Sequence, residues 1–174
     1  GLYFALFNFS MLLNIFLDIG ITNFNNRNIA QHSFLLPKHL SNIVGLKLLL
    51  AIVYAVFSLG IALIIGYNRI QFHLLFLLIF NQFLISFTLY LRSNISGLHL
   101  FRTDSFISVL DRSIMILICS VLLFNHFLRA HFTIEWFVYA QTVAYLITSI
   151  VTFIVVLSKS GRIKIRFDYT FYIV

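Results

Sequence analysis

The sequence predicts an all-α integral membrane protein, a polytopic bundle of about five transmembrane helices with the start of a further one. Three observations carry that expectation: the composition, the lengths of the charge-free runs and the placement of Lys and Arg. Of 174 residues, 61% are hydrophobic and 10% charged, with a mean hydropathy of +1.00. A soluble domain carries roughly 25% charged residues, and one of this length has a large outer surface to cover with polar groups. These residues cannot cover it, so lipid must. One proline and seven glycines supply little turn chemistry for a many-stranded barrel, and the apolar runs are continuous rather than alternating. The hydrocarbon core holds no water to satisfy an open backbone, so the spans are expected to be helices.

Crossing that core takes about 20 apolar residues. Charge-free runs of this kind cover 1–17, 48–67, 71–91, 113–128 and 136–158, and a sixth begins near Tyr169. Between them stand amides, Gly66, Pro37 and most of the charges. The first run opens at Gly1 without a basic leader or small-residue cleavage site, so it is not read as a signal peptide. With runs under way at both ends, residues 1–174 are expected to be a single membrane domain of a longer protein. Cys119 is the only cysteine and has no partner for an internal disulfide.

Orientation follows from the excess of Lys and Arg in cytoplasmic loops. One set of connections holds Arg27, Lys38 and Lys47, then Arg92, Arg102 and Arg112, then Lys159, Arg162, Lys164 and Arg166; the other holds only Arg69 and Arg129. The first set is predicted to be cytoplasmic. The formal charge of +7 is thereby read as topology, and no nucleic-acid partner is expected, although the same balance in a soluble protein would suggest one.

The informative stretch is 18–31: Asp18, Ile19, Gly20, Ile21, Thr22, Asn23, Phe24, Asn25, Asn26, Arg27, Asn28, Ile29, Ala30 and Gln31. Apolar positions persist at helical spacing while amides and one Arg fill the rest. Together with Gly1-Leu2-Tyr3 at the start, this stretch resembles the second helix of bacterial polysaccharide and O-antigen flippases, members of the multidrug/oligosaccharidyl-lipid/polysaccharide exporter superfamily. The segment from Arg92 through Ser93, Asn94 and Gly97 to Asp111 and Arg112 is similar to that family's fourth-to-fifth helix hairpin. The resemblance implies helices two to six of a fourteen-helix transporter, hence an incomplete first lobe whose second lobe lies elsewhere in the same chain. It also implies the bacterial inner (cytoplasmic) membrane as location and membrane lipid as surroundings. The implied cargo is an undecaprenyl-pyrophosphate-linked oligosaccharide, a polysaccharide or O-antigen repeat unit for lipopolysaccharide, moved by alternating access.

The candidate cavity or substrate-path residues are Asp18, Asn23, Asn26, Arg27, Asn81, Arg92, Asp111 and Arg112. Ionisable groups within spans are costly enough to suggest function, and guanidinium groups recognise phosphate oxygens bidentately. Plainer readings stand beside these. Asp18 also fits a helix cap with a cationic neighbour, Arg27 a positive-inside anchor, and Asn81 and Gln82 a bond between helices. Asp111 is expected to pair with Arg92 on the preceding helix and not with Arg112, its neighbour in sequence. The sequence shows no glycine-rich phosphate loop, no Ser, His and Asp nucleophile set, and no histidines at i, i+4 spacing. No catalytic residue, cofactor or metal is therefore expected. The alternatives are a multidrug or peptidoglycan-precursor exporter of the same fold, an integral membrane polysaccharide polymerase or acyltransferase, and a membrane scaffold.

Overall fold

A computed structural model describes residues 1–124 and 133–160, and within them the chain is helical, with no strand. The run near Tyr169 and the basic residues Arg129, Arg162, Lys164 and Arg166 lie outside the described residues. Among the described residues six α-helices follow in order: α1 (Leu2–Leu12), α2 (Ile21–Gln31), α3 (Leu36–Ile65), α4 (Arg69–Gly97), α5 (Phe101–Phe124) and α6 (Ile134–Ser160). Helices α3 to α6 are each long and apolar enough to cross a membrane, and α1 with α2 makes a fifth span if that bent pair counts as one. A multi-pass membrane bundle is what such helices build.

Helices α1 and α2 are separated by a break. After α1 the chain tightens into a 3-10 turn over Leu13–Leu17, then passes through φ +36° at Ile19 and +79° at Gly20. Positive φ suits Gly20, which has no Cβ, and is unusual for Ile19. Past this point α2 sets off 44° away from the first segment. The run expected as one helix over 1–17 thus divides into α1 and a 3-10 turn, and the amides of 23–28, expected as a break between spans, lie inside α2.

The other boundaries shift. Helix α3 begins at Leu36 rather than 48, α5 at Phe101 rather than 113, and α4 continues to Gly97, so the supposed break at 92–104 shrinks to a turn over 98–100. Pro37, expected as an interruption, stands in the first turn of α3, where a missing N–H removes no intrahelical bond. An apolar run measures only the lipid-crossing part of a helix. The ends are set by caps: Asn68 opens α4 through a reciprocal capping box with Gln71, whose Oε1 accepts from the Asn68 N–H at 2.7 Å.

Two Schellman closures finish α3 and α4. Tyr67 N–H donates to the Ala62 carbonyl and Gly66 N–H to that of Leu63 (3.2 and 3.1 Å), while Leu100 and His99 repeat the pattern on Ile95 and Ser96 (3.1 and 2.9 Å). The residue at the left-handed position is Gly66 in the first case and His99, at φ +59°, in the second.

Helix α4 is the axis of the bundle and touches every other helix. More than half of its most apolar window is buried, against almost none of that in α5. One apolar cluster, with Leu6, Tyr54, Leu75 and Leu78, joins α1 and α3 to the first half of α4. A second, with Leu40, Leu91, Ile95 and Val156, joins its latter half to α3 and α6. Outward faces such as Ile52, Val56 and Leu63 on α3 and Ile116, Leu117 and Val121 on α5 are exposed and apolar, as a lipid-facing surface requires.

Candidate functional site

Polar groups concentrate at three places, each produced by how a neighbouring helix meets α4. The first is the break in the opening span. Leu17 loses the carbonyl partner that a continuing helix would give it. Lys47 reaches across from α3 and is 1% exposed. Its ammonium donates to the Leu17 carbonyl (2.9 Å), an Asp18 carboxylate oxygen (2.6 Å) and Ser86 Oγ (2.9 Å). All three donors of the ammonium are used. The same Asp18 oxygen accepts from Thr22 Oγ1 and from the Thr22 N–H, at 2.6 and 3.2 Å, so Asp18 also caps the first turn of α2. Both plainer expectations for Asp18, a cap and a cationic neighbour, are met. Lys47, expected in a cytoplasmic connection, lies instead within α3 and is buried, because α3 starts well before it.

The second place is the crossing of α2 and α4. Asn25 is fully buried, and its Nδ2 donates to Ser93 Oγ and Asn94 Oδ1, both at 2.9 Å. The helices can approach this closely because Gly97 has no side chain: a Cβ there would lie 3.0 Å from Ile29 Cβ and 3.1 Å from the Asn26 carbonyl oxygen. Close approach through a small residue with a polar bond beside it is how helices bind one another in lipid.

The third is a cleft of about 60 Å³ between α4, α5 and α6, room for a few water molecules. Thr88 and Arg92 line it from α4, Ser108 and Asp111 from α5, and Tyr145 and Thr148 from α6. The buried Thr88 Oγ1 has no partner among the described residues. Arg92 holds Asp104 through Nε (2.7 Å) and Nη2 (3.3 Å). Tyr145 extends the polarity up α6, since its hydroxyl accepts from Gln141 Nε2 at 3.1 Å, and Gln141 Oε1 accepts from Tyr3 at 3.4 Å.

The candidate residues thus divide. Asp18 belongs to the break, and Arg92 and Asp111 share the cleft. Two pairing expectations are corrected. Arg92 takes Asp104, on the first turn of the early-starting α5, rather than Asp111; and Arg112 does reach its neighbour, with Nε 3.7 Å from Asp111 Oδ2 and its backbone N–H on the other carboxylate oxygen at 2.8 Å. A long side chain can curl back over a distance that helical directions alone disfavour. Asn81 is buried, and neither of its amide atoms has a partner among the described residues, so the expected bond between helices is not made. Asn23 and Arg27 are exposed on α2 and Asn26 half-buried; none of these three joins the other groups.

Sequence reasoning missed Lys47, Asn25, Ser86 and Asn94. One signal was present: Pro37 suits the first turn of a helix, and a helix beginning there carries Lys47 inside. Among the described residues no group of three His, Cys, Asp or Glu side chains could hold a metal ion. No known protein family matches the chain, and neither a curated protein nor a solved structure is significantly similar to it.

Proposed function

We propose that the chain is one lobe of a flippase that carries a lipid-linked oligosaccharide across the bacterial inner membrane by alternating access. The observation that carries the reading is the cleft between α4, α5 and α6, where Thr88, Arg92, Ser108 and Asp111 place polar groups in a largely apolar wall that also includes Ile85, Leu89 and Ile107. Polar and ionisable groups kept inside spans line pathways by default. The resemblance of 18–31 and 92–112 to flippase helices supports the same reading, as does the predicted orientation, which sets the basic ends of these helices on the cytoplasmic side.

In this reading the arginines divide their work. Arg92 is engaged by Asp104 and shapes the wall. Arg112, with a side chain 68% exposed beside its 3.7 Å contact to Asp111, and Arg27, exposed on α2, offer guanidinium groups to a pyrophosphate. The test is flipping of a fluorescent undecaprenyl-pyrophosphate-linked oligosaccharide in proteoliposomes by the natural full-length protein, beside Arg27→Ala and Arg112→Ala variants that insert equally. Loss of flipping in either variant supports the reading. A folded protein that moves no such lipid defeats it.

A further inference from the structure

Lys47 stands in an arrangement that an isolated structural ion pair does not need. Its three acceptors differ in kind and origin: a backbone carbonyl released by the helix break (Leu17), a carboxylate (Asp18) and a hydroxyl from α4 (Ser86). Ser86 O–H also donates to the Leu17 carbonyl oxygen at 3.2 Å, which holds these two oxygens side by side around the ammonium. Carbonyl, carboxylate and hydroxyl oxygens make a hard ligand set, and unwound carbonyls at the end of a half-helix are what broken spans use to bind alkali cations. The ammonium is the positive charge at that point, and one carboxylate balances it.

We infer that the break in the first span is a monovalent-cation site, formed by Leu17, Asp18 and Ser86, whose resident cation is the chain's own Lys47 ammonium. An ammonium group and a potassium ion are close in size and charge, so an alkali cation can take the same place once the side chain is removed. The native protein accordingly needs no external cation to hold the break. The inference stands apart from the proposed transport activity, because neither its argument nor its test involves cargo.

The experiment is thermal unfolding of the full chain purified in detergent micelles, in potassium, sodium or choline chloride at equal ionic strength. The native protein is expected to melt at one temperature in all three. Lys47→Ala should melt lower in choline chloride and regain about 5 °C in potassium or sodium chloride, as specific binding to the folded state demands. Lys47→Ala combined with Asp18→Asn should lose that response, since the anionic ligand is gone. A Lys47→Ala chain that no alkali chloride restores, whether it folds or not, overturns the inference. So does a double variant that responds as strongly as the single one, or a native protein that gains as much from alkali chloride as Lys47→Ala does.

Discussion

Ile29 of α2 rests on Gly97 of α4 with no room for a side chain between them: a Cβ on Gly97 would meet Ile29 Cβ at 3.0 Å and its Cγ2 at 3.1 Å. The neighbours are a β-branched side chain and a backbone carbonyl, both fixed in a helix, so neither can swing away. Gly97→Ala should destabilise the protein by about 1–3 kcal/mol, the usual cost of overpacking. Gly60→Ala is the control, because a Cβ there meets nothing within 4 Å and alanine favours the helix. Unfolding midpoints of the two variants in detergent should move in opposite directions.

The Asn25 amide bonds Ser93 and Asn94 beside that contact. Asn25→Ala removes both hydrogen bonds and leaves a hole under α2. Bonds of this kind in membrane proteins average about 0.6 kcal/mol, so the two together with the lost packing should cost about 1–2 kcal/mol, measured by the same unfolding. Ser93→Ala should cost less, since Asn94 retains its bond to Asn25.

These two sites show what the sequence could and could not disclose. The helical class and the polarity of 18–31 were legible, because hydropathy and charge are local properties. Helix ends were not. Pro37 marks a start as readily as a stop, and the stretch from Leu98 to Leu100 carries no Pro or Gly to announce a turn; the tight closure there rests on His99 adopting positive φ. Pair partners were legible only when the ends were right, which is why Arg92 was matched with Asp111 although Asp104 is nearer once α5 starts at Phe101. Burial of Lys47 was invisible, since a lysine at the edge of an apolar run looks the same whether it faces headgroups or another helix.

Lys47 and Asp18 lie 29 positions apart in sequence and 2.6 Å apart in space. Removing one member of a buried pair strands the other charge, at a cost of about 3–5 kcal/mol, whereas removing both can be close to neutral. Asp18 is part-exposed, with 39% of its side chain accessible, so stranding it costs less than stranding Lys47. Asp18→Asn should therefore destabilise more than Lys47→Met. The double variant should be more stable than the sum of the two losses predicts, and a double-mutant cycle measures that coupling.

His99 holds the left-handed position that closes α4, and it is exposed. A non-glycine residue there costs roughly 1 kcal/mol, partly offset by the edge contact of its ring with Phe101, 5.8 Å between centroids. The backbone term is the larger for an exposed ring. His99→Gly should raise the unfolding midpoint slightly and His99→Val lower it, because a β-branched side chain tolerates positive φ worst.

The cleft lined by Thr88, Ser108 and Asp111 makes a prediction about water that the outer helix faces do not share. In a background where Cys119→Ser removes the natural thiol, cysteines at Ser108 and Asp111 should react with a membrane-impermeant maleimide added from the cytoplasmic side. Cysteines at Leu117 and Val121, exposed on α5 among apolar neighbours, should stay unlabelled although they are exposed as Ser108 is. Thiols react as thiolates, which form in water and not in hydrocarbon, so labelling follows hydration rather than exposure. Equal labelling at all four positions would show that α5 is wet on every side and that the cleft is no special path; labelling confined to Ser108 and Asp111 would place water against the one carboxylate of the cleft.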